Sequence, residues 1–220
     1  MRALFLGLLF ACTVNFPVFS ENHNSLLPQK VIDPDKAYRV AVEAVRDKKY
    51  TIAVEHFEIL AKQSQYDAQY NLALLLKQGL GIPQNYPEAL KWTWLAHLGG
   101  VKKAQGLADM LLDLVPEKRQ DKTRDQVSDI LTERIETGDL NALTQFARFH
   151  LDVLVEPDYE TAYSWYSVAA ALKMPGGIRG REDVIEEVDP EKLVDLQDKL
   201  SLSLTMLLQE QTLNFKRQRF

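Results

Sequence analysis

Four histidines, one cysteine and 31 carboxylates are the side chains of this sequence best equipped for chemistry. A zinc site on a helix needs two histidines one turn apart, and His56, His97 and His150 form no His-x-x-x-His pair. Gly79-x-Gly81 has the outline of a phosphate loop, but such a loop follows a strand and carries a lysine. Here it follows a helical pattern and has none. Glu182, Asp183, Glu186, Glu187 and Asp189 lack the alternating ligand spacing of a calcium loop and read as a solvated charge run. Cys12, the one thiol, lies in a segment marked for removal by its own composition. No catalytic, cofactor-binding or metal-binding residue is therefore expected, and the chain is read as something other than an enzyme.

The N-terminus carries the signature of export. Met1-Arg2 precedes an apolar run from Ala3 to Val14, and after Val18-Phe19-Ser20 the chain turns abruptly polar at Glu21-Asn22-His23-Asn24. A charged start, an apolar middle and small residues before a cut define a secretory signal peptide, here residues 1–20. A membrane anchor needs about 20 apolar residues, and Asn15 and Pro17 interrupt this run. After cleavage no membrane span is expected. Leu9-Phe10-Ala11-Cys12 resembles a bacterial lipobox, so an outer-membrane lipoprotein acylated at Cys12 stands as the alternative. The mature chain would hold no cysteine, and no Asn-x-Ser/Thr sequon occurs, which together favour a bacterial periplasm.

Charge restricts the partners. The formal net charge is −5 with both signs interspersed, and nucleic-acid affinity rests on a basic surface that neutralises phosphates. Nucleic acid is not an expected partner. Lys216, Arg217 and Arg219 make residues 214–220 a basic tail.

The elements that would position any site are helical. Tyr50, Ala53, Ser64 and Ala68 recur 36 residues later as Tyr86, Ala89, Gly100 and Ala104. A period in this range means antiparallel helix pairs stacked into a solenoid. The clearest copy covers residues 68–100. Ala68, Leu72, Ala73 and Leu76 share one helical face. Gly79 and Gly81 then end that helix, Asn85 caps the next, and Tyr86, Ala89, Trp92 and Ala96 form its inward face. A degenerate copy covers residues 142–173, with Ala142, Phe146 and Ala147 on its first helix and Tyr159, Ala162, Trp165 and Tyr166 on its second, joined by a loop that is one residue shorter and lacks both glycines. Between the copies, helices are read over Lys102–Val115, stopped by Pro116, and over Asp121–Thr137. The run Met174–Gly180 reads as the largest turn. Asp189-Pro190-Glu191 opens a capping helix over 189–211, carrying Leu193, Leu196, Leu200, Leu204 and Leu208. The repeat domain spans 35–213 after a flexible segment at 21–34. No stretch alternates with period two, so no sheet is expected.

Read from Ala68 to Trp92, Ala-x-x-x-Leu-Ala-x-x-x-x-x-Gly-x-Gly-Ile-x-x-Asn-Tyr-x-x-Ala-x-x-Trp resembles the Sel1-like repeat, a relative of the tetratricopeptide repeat. The resemblance implies an all-α, right-handed α-solenoid of antiparallel helix pairs. It also implies an adaptor role: exported bacterial members serve signalling, motility, secretion and envelope assembly by gripping other proteins or peptides. Cysteine-rich members linked to penicillin-like ligands staple each repeat with a disulfide, which this chain cannot do. A lipid-anchored scaffold for polysaccharide export is the alternative if Cys12 is acylated.

Against the family pattern one tryptophan stands out. Trp92 and Trp165 occupy the core position, whereas Trp94 falls where the family usually has a polar residue. An added tryptophan on a polar face is a candidate partner anchor, because interface hot spots favour Trp, Tyr and Arg. Packing beneath the 120–127 helix is the competing expectation. Tyr163 and Tyr166 are weaker candidates of the same kind.

Overall fold

A computed structural model describes residues 33–201. All of its regular structure is helical, and no strand occurs among the described residues. The chain runs through α1 (Pro34–Arg46), α2 (Tyr50–Lys62), α3 (Tyr66–Gln78), α4 (Tyr86–Leu98) and α5 (Ala104–Leu112). It continues with α6 (Glu117–Glu136), α7 (Asn141–Asp152), α8 (Tyr159–Ala171) and α9 (Gly177–Val184). A 3₁₀ turn, Ile185–Glu187, leads to α10 over residues 190–201. The signal segment, the lipobox and the basic tail lie outside the described residues, as does the capping helix beyond 201.

Helices pack mainly against their neighbours in sequence, which makes the architecture an α-solenoid of stacked pairs. Alanines set the closeness of that stacking. Ala53, Ala68, Ala89, Ala104 and Ala162 have no exposed surface, so the helices approach at these points without a side chain between them. Phe57, Leu60, Leu72, Leu90, Leu95 and Phe146 fill the space that remains.

One turn recurs through the array. Two residues past the ends of α1, α2, α4, α6 and α8 stand Lys48, Ser64, Gly100, Gly138 and Lys173, all with φ between 57° and 98°. The following residue's N–H returns to the carbonyl five residues back: Lys49 to Ala44, Gln65 to Leu60, Val101 to Ala96, Asp139 to Arg134 and Met174 to Ala169. This left-handed closure satisfies carbonyls that a helix end leaves open. Ser64 and Gly100, matched by the 36-residue repeat, therefore do the same job with different residues.

Three expectations from the sequence change. The segment expected as helix to Val115 ends at Leu112, ahead of Pro116, with a turn between them. The next helix starts at Glu117, directly after the proline, rather than at Asp121. The run read as the largest turn holds the start of α9. Gly176 takes the left-handed turn (φ 80°), but Gly177 and Gly180 serve contact instead. A Cβ on Gly177 would fall 2.5 Å from the Ala170 nitrogen, and one on Gly180 would fall 2.3 Å from the Tyr166 ring. Their missing side chains let α9 lie flush on α8.

Candidate functional site: a cleft between α4, α6 and the α7–α8 loop

The site is organised around α4, which packs against α3, α5, α6 and α7. Its sequence is apolar on nearly every side: Ala89, Leu90, Trp92, Trp94, Leu95, Ala96 and Leu98 are all buried. A helix of that character is an interior helix. The 20-residue α6 folds back over it, and that contact decides the fate of Trp94. Expected on an otherwise polar face, Trp94 is only 3% exposed. The Arg124 guanidinium lies 5.5 Å from the centre of its ring.

Arg124 is fixed from three directions. Its Nε donates to the Val153 carbonyl at 2.9 Å, Nη1 to Asp121 Oδ1 at 2.8 Å, and Nη2 to Gln120 Oε1 at 3.3 Å. Gln120 in turn donates through Nε2 to the carbonyls of Leu112 (3.0 Å) and Val115 (2.8 Å), closing the end of α5. This network ties α6 both to the α5–α6 turn and to the loop after α7. Between them opens a cleft of about 450 Å³. Its floor and walls include Trp94, Leu112, Val153, Leu154 and Val155, and its polar margin includes Glu117 and Asp152. Val155, at the lip, is 70% exposed.

Beside the cleft, Asp152 collects two basic partners. His97 Nε2 lies 3.1 Å from its Oδ2, and Arg148 Nη2 donates to the same oxygen at 3.2 Å. Burial pushes the Asp152 carboxyl up, but the hydrogen bond from His97 and the charge of Arg148 outweigh it and hold the group below the usual carboxylate range. Arg148 also donates to the Leu98 carbonyl at 3.1 Å. The cluster thus binds α7 to the end of α4. An acid that keeps its charge and is held by an arginine serves positioning. Among the described residues no three His, Cys, Asp or Glu side chains gather to hold a metal ion.

The other sequence candidates distribute as follows. Tyr163 and Tyr166 are 4% and 6% exposed and close a second core with Val184, Val188 and Leu200. Gln197 donates to the Tyr163 hydroxyl at 3.2 Å. Burial raises the Tyr166 phenol to about 12. Trp92 donates through Nε1 to Glu88 at 2.9 Å, with Lys91 Nζ over its ring at 4.7 Å. Trp165 packs on Phe146, ring centres 5.1 Å apart. Leu72 and Ala96 are buried, while Tyr86 and Tyr159 lie partly buried against the two cores. Asn85 caps α4 by accepting from Glu88 N at 3.1 Å. Gly79 takes the left-handed C-cap (φ 69°). Gly81 lies so close to Tyr50 that a Cβ would fall 2.4 Å from its carbonyl carbon. His150 is buried on α7 with Nδ1 3.8 Å from Asp158 Oδ2, and burial lowers its pKa while Asp158 opposes that. The pattern reading did not single out Arg124, Asp152 or Gln120 as a group. No sequence signal links residues that meet only when α6 returns to α4.

Paired antiparallel helices in chain-order contact, joined by alanine-lined seams, define an α-helical repeat protein. The family model described as the Sel1 repeat matches residues 67–93 and 149–174. These two stretches cover most of α3–α4 and of α8 with the end of α7, so the chain carries two Sel1 repeats. No curated protein matches the sequence. Among solved structures it is similar to a protective antigen present in uropathogenic Escherichia coli strains displaying an SLR fold, at 18% identity and TM-score 0.36. That alignment covers 79% of this chain and 46% of the antigen. It is also similar to a Sel1 repeat protein from Oxalobacter formigenes, at 23% identity and TM-score 0.33, covering 66% of this chain and 60% of that one. The chain therefore spans about half the length of the first of these structures. No helix among the described residues is long and apolar enough to cross a membrane.

Proposed function

We propose that this protein is an exported scaffold that holds a segment of a partner protein in the cleft between α4, α6 and the α7–α8 loop. One observation carries the reading: the cleft pairs an apolar floor at Trp94 and Leu112 with an exposed apolar lip at Val155 and acidic margins at Glu117 and Asp152. A concave apolar site with a few placed polar groups is the usual form of a binding site, and the volume suits one or two side chains of a docked segment. The residues around it are engaged in holding helices together rather than in activating a nucleophile, which favours binding over catalysis.

Export to the periplasm rests on residues 1–20, and a lipid anchor at Cys12 is the competing form of it. The mass of the mature N-terminus separates them: a start at Glu21 supports the free scaffold, and an acylated Cys12 the anchored one.

The binding reading is tested by capture from the envelope fraction with tagged protein, run beside Val155→Asp. Val155 is the right target because its exposure leaves folding untouched, whereas truncating the buried Trp94 would cost about 3–5 kcal/mol and confuse binding with stability. A stoichiometric partner lost in Val155→Asp at unchanged Tm supports the cleft. Equal capture by both proteins, or no partner at all, overturns it.

A further inference from the structure

We propose that the partner segment this cleft takes is extended and basic. An apolar side chain covers Val155, lysines or arginines beside it meet Glu117 and Glu156, and a main-chain carbonyl accepts from the Trp94 indole. The inference rests on the reading of the cleft as a segment-binding site and names the chemistry of its partner.

One donor on the floor is unused. Trp92 donates its indole N–H to Glu88, whereas that of Trp94 meets no acceptor among the described residues, although the residue is only 3% exposed. Its nitrogen is not sealed in the interior either, and the open space that Trp94 borders is the cleft. A tryptophan N–H taken from water without a partner is costly, so an occupant that covers Trp94 must bring an acceptor. A carboxylate would bring it among like charges. A main-chain carbonyl brings it without charge, and it is free to accept where the segment is extended rather than helical.

Charge then selects the flanks. Residues 152–199 hold 12 acids against five lysines and arginines, whereas residues 33–151 are nearly balanced, 17 against 16. Most of the acids beside the cleft are already committed. Asp152 is held by Arg148 and His97, Asp121 by Arg124, and Glu160 by Lys192, while Asp158 caps α8. Glu117 at the margin and Glu156 next to Val155 are exposed and have no ion pair or side-chain hydrogen bond among the described residues. The one cation of the lining, Arg124, is paired with Asp121 and lies over the Trp94 ring. The charges left for a partner are therefore both negative, and they stand beside the exposed apolar lip. Exposed ion pairs are weak singly, so two of them should favour a basic segment about tenfold over a neutral one.

The test uses full-length protein and three fluorescently labelled, amidated peptides, Lys-Leu-Lys-Leu-Lys, Ser-Leu-Ser-Leu-Ser and Glu-Leu-Glu-Leu-Glu, read by anisotropy. Wild type is compared with Glu117→Gln/Glu156→Gln and with Val155→Asp. All three positions are exposed, and an equal Tm shows that the fold is kept. The lysine peptide is expected to bind wild type about tenfold tighter than the serine peptide, and the glutamate peptide more weakly than either. The preference vanishes in the Gln variant, and Val155→Asp weakens the serine peptide. Adding the lysine peptide also shifts one indole N–H resonance, assigned to Trp94 by its absence from Trp94→Phe. Equal binding of the lysine and serine peptides overturns the basic partner, and the cleft reading survives if Val155→Asp weakens both. A lysine preference that persists in the Gln variant overturns the seat at Glu117 and Glu156. An unmoved Trp94 resonance overturns the carbonyl contact. Binding of none of the peptides overturns the proposal as well, and the envelope capture with Val155→Asp then judges the scaffold reading by itself.

Discussion

Arg124 lies over the indole of Trp94, 5.5 Å from its ring centre, and in that position donates to the Val153 carbonyl 29 residues away. Through this one side chain the interior helix of the first Sel1 repeat is joined to the loop of the second. The contact places a cation on an aromatic face where most water has been removed, the setting in which such pairs matter most. It also explains why the long α6 interrupts the two repeats without separating them.

Replacing Arg124 tests that joint. Arg124→Ala removes the ring contact and leaves the Val153 carbonyl without its donor, so the chain should lose about 2 kcal/mol in urea unfolding. Tryptophan emission should shift red as water reaches Trp94. Arg124→Lys should recover only a part of the loss, since an ammonium cannot stack and form three directed bonds together. Unchanged emission in both variants would show that α6 is held by other contacts.

Two glycines with left-handed backbone separate strain from crowding. Gly138 (φ 92°) has open space around its Cβ position, so Gly138→Ala should cost only about 1 kcal/mol of backbone strain. Gly81 (φ 75°) adds a clash at 2.4 Å with Tyr50, and Gly81→Ala should cost at least twice as much. Denaturation midpoints for the pair decide this, and equal losses would mean that the α2–α3–α4 seam yields easily.

The same turn allows a stabilising change. Lys173 holds φ at 57° without the freedom of glycine. Lys173→Gly should raise stability by about 0.5–1 kcal/mol, visible as a higher Tm. A fall in Tm would show that the lysine side chain contributes more than its backbone costs.

Acid should weaken the fold in two stages. Burial lowers the His150 pKa from 6.5, so on acidification the unfolded chain takes up that proton first and stability falls as pH drops below about 6.5. Asp139 and Asp152 follow. Burial pushes both up, but Arg134 for one and His97 with Arg148 for the other hold them below 3.8, so their contribution is present above that pH and lost as pH falls through their folded values. Urea midpoints across this range should show both steps. In His150→Gln the first should disappear while the second stays.

How much of this was legible in advance follows from what each signal depends on. Helix stripes, the Asn85 cap, the Gly79 turn and the Ala68–Ala104 spacing all express local chemistry, and each appears where the sequence pattern puts it. Trp165 and Trp92 were readable as packing residues for the same reason. For Trp94 two readings stood open, an anchor on a polar face and packing beneath the 120–127 helix, because periodicity assigns a residue to a face of its helix without saying what that face meets; its burial beneath Arg124 is the second. Nor could composition show that Gly177 and Gly180 serve contact within a helix, since glycine has the same appearance in a turn and in a tight seam.

The sequence by itself determined that the chain forms stacked helix pairs, because apolar spacing, small residues and caps act within a turn or two of their own position. Tertiary structure alone decided the site. Tyr66 receives a hydrogen bond from Gln145, and Arg134 donates to that same Gln145 at 2.7 Å, only because α3, α6 and α7 converge. The cleft exists for the same reason: α6 returns to α4, buries Trp94, and leaves Val155 and Glu117 at an open edge. Side chains that meet across 29 to 79 positions of sequence are brought together by burial and hydrogen bonding, and no local pattern records those contacts.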